Sequence, residues 1–240
     1  MKFNGVDPTT VHSAISISKE IPPGGPAREI ATIDMAGGEI VANVTTIQDE
    51  YIVRVNTAAR TYDEAMEARE KLAAWAMSSG KYEAELEPTH MPGKAYRAIL
   101  KRIGRIENRF GTVDVVFMLP TPVLHSQKTN TVSGEQSVTL ENKGTAPAVF
   151  EFEQTLSEAA EQLTYSMQYV PFLMLTGSFA AGEKISVNME KGHVNVNGVQ
   201  SDERIDFVES DLDKELLQGW QIVSSSAAGA MTVRWVEQWL

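Results

Sequence analysis

One stretch constrains the fold more than any other, Thr61-Tyr-Asp-Glu-Ala-Met-Glu-Ala-Arg-Glu-Lys-Leu-Ala-Ala-Trp-Ala-Met77. Thr61 followed three residues later by Glu64 reads as a capping box, in which a hydroxyl and a carboxylate satisfy the free N–H groups of a first helical turn. Asp63, Glu64 and Glu67 crowd the end where the helix dipole favours anions. Ala65, Ala68, Leu72, Trp75 and Ala76 recur at helical spacing and form one apolar stripe. Ser78-Ser79-Gly80 stops the helix, with Gly80 placed to cap it. No other long helix is signalled. A lone amphipathic helix cannot bury its stripe by itself, so it has to lie on a sheet. Its expected role is to cover that sheet rather than to carry chemistry.

The remainder reads as strands and turns. Val11, Ile15 and Ile17 sit in a first extended run, which Ile21-Pro22-Pro23-Gly24-Gly25-Pro26 breaks, since proline fixes φ and removes a donor. Residues 29–34, 40–47 and 51–56 are β-rich, with the last two expected to pair through Gln48-Asp49-Glu50. After the helix come strands at 82–86, 95–106 and 112–119. Residues 125–136 are polar and nearly free of large apolar groups, which predicts a linker. The chain is therefore expected to divide into domain 1–124, linker 125–136 and domain 137–240. In the last part, Ile185–Met189 and His193–Val196 read as a hairpin, and Asn197-Gly198 is a strong two-residue turn signal. Asp211 to Leu217 is expected to make one helical turn. Many short strands at this spacing predict a β-sandwich. The fold class is mainly β, of the α+β kind, with a sandwich-like first domain carrying the one helix.

Composition excludes more than it assigns. There is no cysteine, hence no disulfide framework, thiolate metal site or cysteine nucleophile. Residues 1–8 lack the apolar core of a signal peptide, and no run approaches the roughly 18 apolar residues of a membrane span. The net charge of −11 is uneven. Residues 1–124 hold 14 basic and 16 acidic side chains, and residues 125–240 hold 7 and 16, a net of −2 against −9. The acidic second half argues against binding a phosphate backbone there. His12, His90, His125 and His193 are scattered, none at metal-ligand spacing. Asp211-Leu-Asp213-Lys-Glu215 lacks the central glycine and terminal glutamate of a calcium loop. No nucleophile elbow, phosphate loop or dinucleotide fingerprint occurs. No enzyme and no cofactor is expected.

One charged cluster stands out. Lys94, Arg97, Lys101, Arg102, Arg105 and Arg109 fall within sixteen residues. On an unbroken strand Arg97, Lys101, Arg105 and Arg109 share parity and therefore a face. Two readings are open, a solvated strand face or a ladder of charge that meets an acidic partner. Glu64, Glu67 and Glu70 on the helix edge are one such partner, in the same subunit or the next. Glu64, Glu67, Glu70, Arg97, Lys101 and Arg105 are thus the candidate subunit-interface residues.

The order of pieces resembles the distal tail (Dit) proteins of long, non-contractile-tailed phages and prophages. The resemblance rests on Phe3-Asn4-Gly5, Pro22-Pro23, the glycines at 37–38, the helix end Lys71-Leu-Ala-Ala-Trp75, the strand Tyr96–Gly104 and the closing Met118-Leu-Pro-Thr-Pro122. In the second half it rests on Leu140–Pro147, Leu175–Phe179, Gly182–Val187, Val194–Gly198 and Val233–Leu240. Each piece is weak; their order and spacing along the whole length carry the likeness. The resemblance implies a ring-forming first domain and a galectin-like second sandwich. It implies a homo-hexameric ring in the virion tail tip, assembled in the host cytoplasm, that joins the tail tube protein to the tail-associated fibre or lysin protein. DNA would pass through the channel only as cargo, with no membrane insertion. The alternative is a carbohydrate-binding module for host attachment. His193-Val-Asn195-Val-Asn197 keeps two polar groups of a galectin-type H-x-N-x-R site but has Asn197 for the arginine, and Trp220, Trp235 or Trp239 would be its platform.

Overall fold

The structure, a computed structural model, describes residues 1–23, 27–35, 38–47, 49–104 and 110–240. The chain divides between His125 and Ser126 into two compact units.

In the first unit the strands are β1 (Lys2–Phe3), β2 (Ile15–Ile21), β3 (Ala27–Met35), β4 (Gly38–Ile47) and β5 (Asp49–Ala58), then helix α1 (Tyr62–Ala76), then β6 (Ala84–Glu87), β7 (Lys94–Ile103) and β8 (Phe110–Leu119). β2, β5, β8 and β7 lie side by side in that order, all antiparallel. β5 alternates as a half-buried strand must, with Tyr51, Val53, Val55 and Thr57 inward and Arg54 and Asn56 outward. Along β7, Tyr96–Ala98 pairs with β6, and Ile99–Ile103 pairs with β8.

The helix starts as its sequence predicts, but it ends at Ala76 with Met77 as its C-cap, so Gly80, at φ 65°, turns the chain beyond the helix and does not cap it. Thr61 Oγ1 accepts from the Glu64 N–H at 3.1 Å. The Glu64 carboxylate reaches one residue further back than a capping box requires and takes the Arg60 N–H at 2.5 Å. Ala68, Leu72, Trp75 and Ala76 are buried. Trp75 meets Phe3 and Phe117 at ring distances of 6.0 and 5.9 Å, and Phe3 meets Phe117 at 4.6 Å. The indole N–H donates to the Val6 carbonyl at 2.9 Å. Three rings from β1, α1 and β8 thus hold the helix on the sheet, an arrangement in which edge-to-face contacts add to simple burial.

One strand-pairing expectation fails in this unit. β4 does not pair with β5. It pairs with β3, from Ala27↔Ile47 to Met35↔Gly38, whereas β5 lies between β2 and β8. β5 starts at Asp49, two positions after β4 ends at Ile47, and one intervening residue is too short a loop to reverse an antiparallel pair. Among the described residues, β3 and β4 form a sheet of their own with no third strand. The glycine turns at 24–26 and 36–37 and the turn at 108–109 lie outside the described residues.

The stretch 125–136 is not a linker. It is strand β9 (Leu124–Glu135), lying next to β18 (Gly229–Trp239). Its Ser133 and Thr232 hydroxyls bond across the pair at 2.8 Å, and Val132 packs on the core. Thr and Val suit an extended backbone, and half of the strand's residues are exposed, which is why it reads as polar.

The second unit is a sandwich. Between β9 and β18 come β10 (Ser137–Asn142), β11 (Phe150–Leu156), β12 (Ala160–Met167), β13 (Val170–Phe179), β14 (Lys184–Asn188), β15 (His193–Val196), β16 (Val199–Gln200) and β17 (Gly219–Ser225). One sheet runs β10-β17-β12-β13, and the other β16-β15-β14-β11-β18-β9. Phe152 faces Tyr165 at 4.6 Å and Phe172 at 6.2 Å across the two layers, with Trp235 buried in the same core. The β14–β15 hairpin has the expected register, Ile185↔Val196 and Val187↔Val194. Asn197 and Gly198 turn it into β16 with φ of 52° and 82°, the left-handed pair that such a turn demands.

Asp211–Leu217 makes no helical turn. Leu216 is drawn instead into a reciprocal backbone bridge with Ala148, at 2.9 and 2.8 Å. Beside it sits Asn142, fully buried at the end of β10. Its amide donates to the carbonyls of Leu216 (2.9 Å) and Ala146 (3.3 Å), and its Oδ1 accepts from the Gly144 N–H (3.0 Å). Gly144 is glycine for reasons of space: a Cβ there would lie 2.1 Å from the Gln238 carbonyl oxygen.

Candidate functional site

The charged strand β7 is bent out of simple parity. Its register against β8 shifts between Leu100 and Arg102, a bulge that leaves both Lys101 and Arg102 exposed. The expected single face through Arg97 and Lys101 is therefore broken at Lys101. Arg105 and Arg109 lie outside the described residues.

Lys101 donates to the Glu50 carboxylate at 2.7 Å, not to the helix. Arg97 is exposed, with Glu85 opposite it on β6. On the helix, Glu64 is occupied by the Arg60 N–H, Glu67 lies 3.9 Å from His12 Nε2, and Glu70 is exposed. The structure therefore gives the acidic edge and the basic strand separate neighbours for Glu64, Glu67 and Lys101.

The outer face of the sheet holds an ion pair that sequence reading passed over. Arg54 on β5 and Asp114 on β8 are direct cross-strand partners. Arg54 Nε and Nη2 reach the two carboxylate oxygens at 2.8 and 3.0 Å. The Arg54 hydrogen bond holds the Asp114 carboxyl below its usual range, with burial opposing it. These two residues, with Arg102, Gly104 and Thr112, line a cavity of about 400 Å³. Nothing in the sequence marked the pair, because its members are sixty positions apart and only the strand register joins them.

Glu20 forms a second polar node. It accepts from Tyr51 Oη at 2.6 Å and from the Thr89 N–H and hydroxyl at 3.1 and 2.5 Å, with the Met1 amine 3.8 Å away. Burial raises the Glu20 pKa, but the hydrogen bonds from Thr89 and Tyr51 outweigh it and the carboxyl lies below its usual range. Burial, with the Glu20 charge beside it, pushes the Tyr51 phenol far up.

The four histidines go to four separate places. His12 accepts the Ala14 N–H, His90 lies 4.0 Å from Glu20, His125 4.0 Å from Glu85, and His193 Nδ1 2.9 Å from Asp202. Among the described residues no three His, Asp or Glu side chains gather as a metal would need, and no helix is long and apolar enough to cross a membrane.

The galectin-type constellation does not assemble. Asp202 also binds the Val194 N–H at 2.8 Å, so His193 and Asp202 clamp the start of β15. Asn197 is spent in the turn, accepting from the Lys184 N–H and donating to Glu183. Trp235 is in the core, while Trp220, 65% exposed, stands on the opposite sheet of the sandwich from His193.

Residues 143–239, most of the second unit, match the family described as siphovirus-type tail component, C-terminal domain, the SPP1 Dit family. The similarity to that family is thus confined to residues 143–239. The fold likeness extends further than the family match. The crystal structure of the Dit protein (gp 19.1) of phage SPP1, described as a paradigm of hub adsorption apparatus in phages infecting Gram-positive bacteria, superposes with a TM-score of 0.79. The alignment covers 100% of this chain and 98% of that one at 14% identity. The Dit-type fold thus includes the first unit with its single helix. Two structures of the phage P2 baseplate in its activated conformation, with Ca and with Sr, align over 92% of this chain and 90% of theirs. At 8% and 10% identity and TM-scores of 0.37 and 0.39, that likeness is too slight to build on. No curated protein matches the chain.

Proposed function

We propose that this chain is the hub of a phage tail tip: a ring of six copies that continues the tail tube on one face and receives a tail-associated fibre or lysin protein on the other. The observation that carries the tail assignment is the family match over residues 143–239. The ring is supported by the β3–β4 sheet. Its strands of 9 and 10 residues pair only with each other among the described residues, and a two-stranded sheet alone is marginal in water. Each strand keeps an outer row of unpaired N–H and C=O groups, the surface that another strand completes. Copies related by a closed rotation bring such hairpins edge to edge and leave no edge open.

In this reading the first unit builds the ring. Glu64, Glu67, Glu70, Arg97 and Lys101 are its candidate contacts between copies. Lys101 and Glu50 are both solvent-accessible, and a surface ion pair contributes only about 0–1 kcal/mol, so Lys101 exchanges partners at little cost. DNA passes through the channel as cargo. The test is the symmetry of the assembly, by native mass spectrometry of the purified chain at tens of micromolar and by electron microscopy of tails that contain it. Sixfold rings are expected. A chain that is monomeric in solution and forms no ring within tails overturns the proposal.

A further inference from the structure

We propose that Phe207 and Val208 form a docking knob that inserts into an apolar socket rimmed by lysine or arginine on a second protein of the tail. The proposal rests on the tail reading above for where that partner is found. Val208 is 90% exposed and Phe207 66%. Single exposed apolar residues are ordinary on any surface; this pair differs because its backbone is pinned on both sides.

Before the pair, Ile205 bridges to Leu175, and the Asp206 N–H donates to the Met174 carbonyl at 2.9 Å. Asp206 Oδ1 then takes the Val208 and Glu209 N–H groups at 3.1 and 3.4 Å, folding the crown. After the pair, Ser210 Oγ accepts the Met174 N–H at 3.0 Å and the Asp211 N–H donates to the Phe172 carbonyl at 2.7 Å. Leu212 packs onto the sandwich core. The loop backbone is thus fastened along β13, and it presents the two apolar side chains to solvent. A group already fixed in its bound geometry loses little freedom on docking, which is what makes a binding hot spot effective.

The flanks identify the partner's chemistry. Residues 206–215 contain Asp206, Glu209, Asp211, Asp213 and Glu215 against Lys214 alone. Glu209, Asp211, Asp213 and Glu215 are exposed. An acidic collar around an apolar crown is complementary to a basic rim around an apolar pocket, and it repels an acidic one.

The absence of cysteine from the chain gives a clean test. Val208→Cys is made in the full chain, and its reaction with a maleimide-linked polyethylene glycol is timed on the isolated chain and in purified particles. A second variant adds Glu209→Gln, Asp211→Asn and Asp213→Asn, which keep size and remove charge. The expected result is labelling slowed about tenfold or more in particles, with most of that protection lost in the neutralised variant. Labelling in particles at the isolated-chain rate overturns the knob and leaves the tail reading standing. Protection that ignores the three neutralisations overturns the basic-rim partner. Particles that lack the chain altogether, by mass spectrometry, overturn both the tail reading and the knob.

Discussion

Asn142 is the residue whose removal should cost the second unit most for its size. It makes three hydrogen bonds in a fully buried setting: two donated, to Leu216 and Ala146, and one accepted, from the Gly144 N–H. Asn142→Ala deletes all three. The Leu216 carbonyl keeps the Ala148 N–H, so the heaviest penalty falls on Gly144 and Ala146. At about 1 kcal/mol net per bond, with more for a buried group left bare, the loss comes to roughly 2–4 kcal/mol. In urea, with a slope of about 1–3 kcal/mol per molar, the midpoint of the second unit should fall by roughly 1–2 M. Buried Trp235 reports that transition by fluorescence. Asn142→Asp separates geometry from charge. It keeps an acceptor for Gly144 but points a carboxylate oxygen at two carbonyls, so its pKa rises on folding. The sign follows: a folded pKa above the unfolded value makes the variant most stable in acid, with stability lost as pH climbs through the folded pKa. A loss below about 1 kcal/mol for Asn142→Ala, or an Asp variant that gains stability from pH 4 to 7, would refute this account of the node.

Trp75→Ala removes the indole from the Phe3–Phe117 group and its bond to Val6; calorimetry should show the first unit losing about 3–5 kcal/mol. Tyr165→Phe should be neutral or slightly stabilising in the same experiment, because the Tyr165 hydroxyl is buried with no hydrogen-bond partner and its removal relieves a desolvation cost. Burial, with the Arg97 charge adding to it and Glu85 opposing, lowers the His125 pKa. The unfolded chain therefore binds the proton first, and the first unit should lose stability as pH falls through and below about 6.5, a slope that His125→Gln removes in urea titrations at pH 7.5 and 5.5. Reversing Glu64, Glu67 and Glu70 to lysine should weaken ring assembly in native mass spectrometry more than it lowers the melting temperature; rings formed as in the wild type would end the idea that this edge meets a neighbouring copy.

What could be read beforehand was whatever local spacing encodes. The helix at 62–76 announced itself by Thr61, its acidic first turn and its stripe, and Asn197-Gly198 announced its turn. β9 was missed because a strand with half of its residues exposed has the composition of a linker; only its place beside β18 makes it a strand. The supposed face of Arg97 and Lys101 was undone by one inserted residue, which no parity count can foresee. The Arg54–Asp114 pair and the Asn142 node join residues 60 and 74 positions apart, and their partners exist only once the strands have found their register.

Two long strands that pair only with each other among the described residues place the chain under a time limit. An unpaired strand edge accepts whatever extended backbone arrives first, and that includes the same edge on an unfinished copy in the wrong orientation. Between synthesis and docking, each free copy would therefore carry a template for aggregation that its neighbours in the proposed ring would cover. The hazard scales with the concentration of free subunit, so a slow, dilute supply favours ordered closure and a sudden excess favours fibres or amorphous solid. Co-expression with its neighbours, rather than a lower temperature alone, is the condition under which this chain should be easiest to obtain intact.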